Sequence, residues 1–239
     1  ARRHSHFFGN GVRGVGPGPV LIDKGPLRIS MNVLFVGAHL DDFELAAGGS
    51  AKRWSDEGHN VYSAILTNSQ WVGANGEHFR NLEEVEKYCG GASWVLGYTP
   101  INLNLCPALQ LAYSDDYVVK ILNIIQQHKI DMLLTIWPHD AHPDHQTAAK
   151  IALAATRKVP RVLTAKISWN ATAEAFNPKF FVDITDTFAA KRESVQCYKD
   201  EYARTGELWE RQILAQAQLY GLEANCDLAE GFELIKYRY

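Results

Sequence analysis

Two clusters of histidine and aspartate stand directly after apolar stretches of this sequence. The first follows "VLFVG" (33–37) and the second follows "IDMLLTIW" (130–137). Imidazole nitrogens and carboxylate oxygens are common ligands of catalytic zinc, which keeps three protein ligands and one open position. The members of the two clusters are His39, Asp41 and Asp42 in the first, and His139, Asp140, His142, Asp144 and His145 in the second.

The spacing in these clusters suits a metal-dependent hydrolase. His39 and Asp42 are close enough in sequence to reach one ion from a single turn, and a histidine of the second cluster would complete three ligands. Asp41 and His142 are then spare groups for moving a proton and for stabilising an oxyanion. Asp144 could orient an imidazole from behind, as carboxylates commonly do around metal sites.

Each cluster also has an ordinary structural interpretation. Asp41 and Asp42 could cap the N-terminus of a helix, and "HPDH" could be a solvated turn. These interpretations weaken when the clusters are taken together, because both follow buried strands and so fall at the same edge of a sheet.

The elements that carry the clusters alternate between strand and helix. This pattern predicts a Rossmann-like α/β fold with a mostly parallel sheet, helices on both faces, and a site at the carboxyl ends of the strands. The predicted strands are 32–37, 60–67, 101–105, 130–137, 161–169 and 179–184, and the predicted helices are 42–57, 77–96, 114–128, 146–157, 187–203 and 207–222.

Length and composition fit one globular domain. The chain has 239 residues, 46% hydrophobic and 21% charged, with a net charge of −3. This charge gives no basic footprint for nucleic acid, and no apolar run is long enough to predict a membrane span. Residues 1–30, rich in Gly and Pro, are expected to be an N-terminal extension that could contact another subunit in a homo-oligomer, before a single domain at 31–239.

The cysteines and the start of the sequence favour a cytoplasmic protein. The four cysteines form no C-x-x-C pair, so neither a zinc knuckle nor a disulfide framework is expected. No apolar region near the start has the form of a signal peptide.

Both clusters also resemble the motifs of a known family. "GAHLDDFELAAGG" is similar to the A-H-P-D-D-x-x-x-x-x-G-G signature of the LmbE/PIG-L zinc-dependent N-deacetylases, and "HDAHPDHQTA" is similar to their H-P-D-H-x-x-A motif. "RNLEEVEKYCGGASWVLG" and the C-terminal segments add weaker support, so that the resemblance covers about residues 31–239.

The resemblance implies a role for individual residues. His39, Asp42 and His145 would be the zinc ligands, and Asp41 the general base. His142 would stabilise the oxyanion or protonate the leaving amine, with support from Asp144.

Substrate contacts follow from the resemblance less directly. Arg80 resembles a substrate-binding arginine, and Asp140 stands where some members carry a tyrosine. Trp71, in the segment 68–79, could line a sugar pocket or lie in an ordinary surface loop. Leu40 departs from the pattern, because it replaces the usual proline of A-H-P-D-D.

The resemblance and the residues together predict a hydrolase that removes acetyl from an N-acetylated amino sugar or its conjugate. Two alternatives stay open: an amidase for a larger acyl amide, and a metal- or carbohydrate-binding protein without activity. The presence of Asp41 and His142 disfavours the second, since metal binding alone needs neither. Zinc is the expected ion, although His and Asp ligands also suit Fe²⁺.

Overall fold

A computed structural model describes residues 30–73, 75–77, 80–168 and 170–239 of the chain. The predicted extension therefore lies outside the described residues, except for Ser30. In chain order the elements are β1 (Asn32–Gly37), α1 (Asp42–Asp56), β2 (Asn60–Ile65), α2 (Leu82–Leu96), β3 (Thr99–Asn102), α3 (Asp115–Gln127), β4 (Met132–Ile136), α4 (Pro143–Ala154), β5 (Arg161–Ala165), β6 (Phe180–Asp183), α5 (Phe188–Gln196), α6 (Lys199–Thr205), α7 (Leu208–Ala224) and β7 (Ala229–Tyr237).

Seven strands form one sheet in the order β3-β2-β1-β4-β5-β7-β6. The first five are parallel, whereas β7 runs antiparallel to both β5 and β6. The central strands β1 and β4 are apolar and almost completely buried, as expected for a parallel sheet covered by helices on both faces. The predicted α/β fold is confirmed, and β7 is a strand that the sequence pattern did not predict.

Three helix boundaries differ from the prediction. The helix predicted at 77–96 begins at Leu82, where the Asn81 side chain accepts a hydrogen bond from the Glu83 N–H. The helix predicted at 146–157 begins at Pro143, because proline is preorganised for the first helical position and the His142 imidazole caps the Asp144 N–H. The helix predicted at 187–203 is two helices, α5 and α6. The break falls at Tyr198, whose fully buried side chain donates a hydrogen bond to the carbonyl of Leu40.

Helix α1 is kinked at Ala47, where the backbone leaves helical geometry. The carboxylate of Glu230 accepts hydrogen bonds from the main-chain N–H groups of Gly49 and Ser50, at 3.0 and 2.7 Å. Lys191 forms a buried ion pair with the same carboxylate. Strand β7 and helix α5 therefore stabilise the kink in the helix that carries Asp42.

None of the helices in the described part of the chain has the length and apolarity that a membrane crossing requires.

Candidate metal and active site

The two predicted clusters meet at one edge of the sheet. Strand β1 pairs directly with β4, and both strands are parallel, so the loops at their carboxyl ends are neighbours. The chain passes from β1 outward to β2 and β3, and from β4 outward to β5, which makes the space between β1 and β4 the point where strand order reverses. Ligands of open α/β sheets bind at this point.

Three side-chain atoms from the two loops form a compact triangle. His39 Nδ1 lies 3.6 Å from Asp42 Oδ1 and 3.3 Å from His145 Nε2, and the third side, between Asp42 Oδ1 and His145 Nε2, measures 3.1 Å. Tetrahedral bonds of about 2.0–2.2 Å to one zinc ion place neighbouring ligand atoms roughly 3.3–3.5 Å apart. The triangle therefore has the dimensions of a zinc ligand set.

A second layer of groups fixes this triangle. Asp42 uses its other oxygen to accept hydrogen bonds from the main-chain N–H groups of Ala38 and His39, both at 2.8 Å. His39 Nε2 lies 3.0 Å from Asp144 Oδ2, so the imidazole nitrogen outside the triangle is bound to a carboxylate. Carboxylate partners of this kind orient metal-binding histidines and strengthen them as ligands.

Asp140 supplies the matching carboxylate for the second histidine, which corrects its predicted contact with substrate. Its side chain is fully buried and lies 2.9 Å from His145 Nδ1. It also accepts main-chain hydrogen bonds from His142 and Ser168, both at 3.0 Å. This carboxylate lies behind His145 and is absent from the lining of the cavity in the described residues.

Asp144 also differs from its expected place. Its carboxylate binds His39 rather than His142, and it accepts further hydrogen bonds from the main-chain N–H groups of Leu109 and Leu111. Only the main-chain N–H of Asp144 reaches His142, at 3.1 Å from Nδ1. The Asp144 side chain thus orients His39 and anchors the loop that contains Leu109.

The structure offers two possible histidine-containing ligand sets. His142 also has a ring nitrogen within 4.8 Å of ligand atoms of His39 and His145. However, His142 Nδ1 accepts the N–H of Asp144, so a neutral His142 carries its hydrogen on Nε2 and presents a donor there. A donor is unsuited to bind a cation, and we therefore favour the triangle that contains Asp42.

The electrostatics of the site favour two charged histidines in the metal-free protein. Burial lowers the pKa of His39, but Asp42 and Asp144 outweigh it and raise that pKa to about 9. Burial likewise lowers the pKa of His145, but Asp42 and Asp140 raise it to about 10. Burial raises the pKa of Asp42, yet the two imidazoles hold it well below its usual range. The carboxylates of the site therefore favour positive charge at these two histidines, as a bound metal cation would supply.

Asp41 lies beside the triangle, at the start of α1. Its side chain makes no capping hydrogen bond, so the capping interpretation fails for this residue. Its Oδ2 accepts a hydrogen bond from Arg80 Nη1 at 2.8 Å, while Arg80 Nε binds Asp200 at 2.7 Å and approaches Glu201 at 3.9 Å. The sequence did not predict that Asp200 and Glu201 belong to the site. Acidic residues in the first turn of a helix, as in α6, most often face solvent.

A cavity of about 480 Å³ opens over these groups. Asp41, His142, Trp71 and Arg80 all line it, so the predicted site residues other than Asp140 and Asp144 border one space. Burial, His39 and His145 lower the pKa of His142, which favours the neutral form. Besides Trp71, the apolar part of the described lining is Leu45, Ala108, Leu109, Ala141, Pro143, Ile167 and Trp209.

Leu40, the departure from the family pattern, has a defined place in this turn. Its main-chain N–H donates to Ser69 Oγ at 2.9 Å, a bond that proline could not form. Ser69 is buried and takes a left-handed backbone conformation with φ of 59°. Leu40 thus links the turn that carries His39 and Asp42 to the segment that contains Trp71.

The fold and this cluster define an α/β protein with a group of possible metal ligands at the carboxyl edge of its sheet. A family model described as GlcNAc-PI de-N-acetylase (PIG-L) matches residues 34–156, which is more than half of the chain. The chain belongs to this family.

Three proteins named as deacetylases are similar to the chain over most of its length. Diacetylchitobiose deacetylase of Thermococcus kodakarensis is 25% identical over 231 residues, covering 88% of this chain and 85% of that protein. The probable N-acetyl-α-D-glucosaminyl L-malate deacetylase 2 of Bacillus cereus is 26% identical over 183 residues, covering 71% and 83%. The solved structure of N,N'-diacetylchitobiose deacetylase from Pyrococcus horikoshii has the same fold, with a TM-score of 0.73, 20% identity and coverage of 86% and 84%.

Proposed function

We propose that this protein is a metal-dependent de-N-acetylase, which hydrolyses the N-acetyl group of an amino sugar or its conjugate to acetate and a free amine. The observation that carries the proposal is the triangle of His39, Asp42 and His145 beside Asp41 in one cavity. Membership of a de-N-acetylase family and two deacetylase relatives support it.

His39, Asp42 and His145 would hold the metal ion, with Asp144 and Asp140 orienting the two imidazoles. Two nitrogen ligands and one carboxylate suit Zn²⁺, and they also suit Fe²⁺. When bound, such an ion lowers the pKa of the attacking water toward 7 and polarises the amide carbonyl.

Asp41 would take the proton from the attacking water. It borders the cavity next to the ligand triangle, and Arg80 fixes its orientation by binding one carboxylate oxygen. Proton transfer by a positioned side chain contributes typically about 10²–10⁴-fold to a rate. This role explains why a second aspartate follows the metal turn without capping the helix.

His142 would act on the other side of the amide. The Asp144 N–H fixes the His142 tautomer, so that Nε2–H is available to the carbonyl oxygen as negative charge develops there. The departing amine would take the proton that Asp41 removed from the water, because a neutral imidazole that gave up its only N–H would be left as an anion. His142 therefore donates a hydrogen bond to the oxyanion and keeps its own hydrogen.

Arg80 and Trp71 would bind the sugar. Arg80 Nη2 is buried without a hydrogen-bond partner among the described residues, which leaves a donor for a sugar hydroxyl. Trp71 gives the cavity wall an aromatic face. The cytoplasmic location and the possibility of a homo-oligomer both stay predictions from the sequence.

The test is amine release by zinc-loaded protein. N,N'-diacetylchitobiose, N-acetylglucosamine and longer N-acyl glucosamine derivatives are incubated with the enzyme, and free amine is measured. We expect the N-acetyl compounds to react and a His145→Ala variant to be inactive. Preference for long acyl chains would instead favour the wider amidase, and zinc-loaded protein without activity on the panel would favour the binding protein.

A further inference from the structure

The cavity contains only two guanidinium groups among the described residues of its lining, Arg80 and Arg204. Whether an anionic substrate can bind in the cavity depends on whether the positive charge of these groups is available. A carboxylate or phosphate attached to the sugar would need an arginine that is free to bind it.

Both arginines are already bound to carboxylates of the protein. Arg80 bridges Asp41 and Asp200, at 2.8 and 2.7 Å, and its side chain is 5% exposed. Arg204 holds one oxygen of Glu201 through two nitrogens, with Nε at 2.9 Å. The Glu201 side chain is only 8% exposed, whereas that of Arg204 is 56% exposed, so the carboxylate of this pair is buried and the guanidinium is open on its other side.

The cluster has no surplus positive charge. Three carboxylates, Asp41, Asp200 and Glu201, face two guanidinium groups. Burial raises the pKa of Glu201, but even a protonated Glu201 leaves two carboxylates for the two arginines. An anionic group that binds Arg80 would have to displace a buried carboxylate, which is costly because the released charge stays buried. An anionic group that approaches the exposed side of Arg204 meets a guanidinium whose charge Glu201 already offsets.

From these pairs we infer that the site takes an uncharged N-acetylated amino sugar and discriminates against conjugates that carry a carboxylate or phosphate next to the sugar. The inference rests on the proposed function and adds the class of substrate. An uncharged sugar needs hydrogen bonds alone, and the buried Nη2 of Arg80 provides a donor without breaking either ion pair.

Glu201 is the residue that sets this preference. It occupies Arg204 and adds a negative charge to the cavity lining. The Glu201→Gln change removes that charge while keeping the size of the side chain, and it leaves Arg204 able to bind an anion. One unit charge acting across roughly 10 Å at an effective dielectric constant near 20 changes a binding ratio by about tenfold.

The experiment compares kcat/KM for three substrates of zinc-loaded wild-type enzyme and its Glu201→Gln variant. These are N,N'-diacetylchitobiose, N-acetyl-α-D-glucosaminyl L-malate, and the dimethyl ester of that malate conjugate, which keeps its shape without charge. We expect the wild type to prefer both uncharged substrates over the acid by about tenfold or more. Glu201→Gln should shift the ratio of acid to ester about tenfold toward the acid, while exposed Glu193→Gln, which changes the net charge equally, leaves the ratio unchanged.

Two results overturn the inference in distinguishable ways. If wild-type enzyme hydrolyses the malate conjugate as fast as its ester and diacetylchitobiose, or faster, the discrimination against anions is absent although the protein is a deacetylase. If none of the three substrates releases amine, the proposed function fails and the inference fails with it. The wild-type comparison stands even if Glu201→Gln does not fold.

Discussion

Leu40 allows a sharp test of what stabilises the turn that carries His39 and Asp42 when the usual proline is absent. The N–H of Leu40 is buried and binds Ser69 Oγ. Ser69→Ala removes the acceptor and leaves this N–H without a partner, which costs about 1–3 kcal/mol. Leu40→Pro removes the N–H itself and has a separate cost from lost packing, since Leu40 is 1% exposed.

A double-mutant cycle separates these costs. When residue 40 is already proline, Ser69→Ala no longer leaves an N–H without a partner. The loss in free energy of unfolding that Ser69→Ala causes should then be close to zero. We therefore expect a coupling energy of about 1–2 kcal/mol between the two positions, within the range found for residues in direct contact. The independent cost of Leu40→Pro cancels in the cycle.

The assay is urea unfolding of the four metal-free proteins, read as the free energy of unfolding. Ser194→Ala combined with Leu40→Pro is the control, because Ser194 is equally buried but binds the carbonyl of Lys191. That pair should be additive. Additivity of Leu40→Pro and Ser69→Ala within about 0.3–0.5 kcal/mol would show that their hydrogen bond does not hold the turn.

Three further predictions concern the site and its support. Asp140→Asn should weaken zinc binding by about 10–100-fold in chelator competition, because it removes the charge behind His145; unchanged affinity would refute its orienting role. At pH 8 the metal-free His39 and His145, with pKa values of about 9 and 10, are protonated, so zinc binding should release nearly two protons, and progressively fewer as the pH rises through about 9 and 10. Calorimetry in two buffers with different ionisation enthalpies measures this release, and none at pH 8 would contradict it. Glu230→Gln should lower the free energy of unfolding by about 3–5 kcal/mol, because it leaves buried Lys191 without its charge partner; a loss below about 1 kcal/mol in urea unfolding would refute this.

The meeting of the two His/Asp clusters was predictable because it follows from short-range rules. Apolar strands predict a covered parallel sheet, and parallel strands bring their carboxyl-end loops to one edge. The sequence therefore predicted which residues would lie near one another at this edge, although it gave no distances between their side chains. The three atoms of His39, Asp42 and His145 needed only the turn after β1 and the start of α4 to come together.

Other features depend on contacts far apart in sequence, which periodicity does not report. Asp140 looks like a loop residue facing substrate, but a strand end and a helix start bury it behind His145. The kink of α1 depends on Glu230, about 180 residues downstream. The break between α5 and α6 depends on Tyr198 reaching Leu40, and a helical pattern gives no sign of it.

In the proposed mechanism the two adjacent aspartates have different tasks: Asp42 binds the metal and Asp41 takes the proton. The most direct measurement is zinc content together with the rate of amine release for purified Asp41→Asn and Asp42→Asn. Asp41→Asn should keep the metal and lose about 10²-fold or more in kcat, whereas Asp42→Asn should lose the metal. Wild-type turnover by Asp41→Asn, or full zinc occupancy in Asp42→Asn with the same affinity as the wild type, would contradict this account.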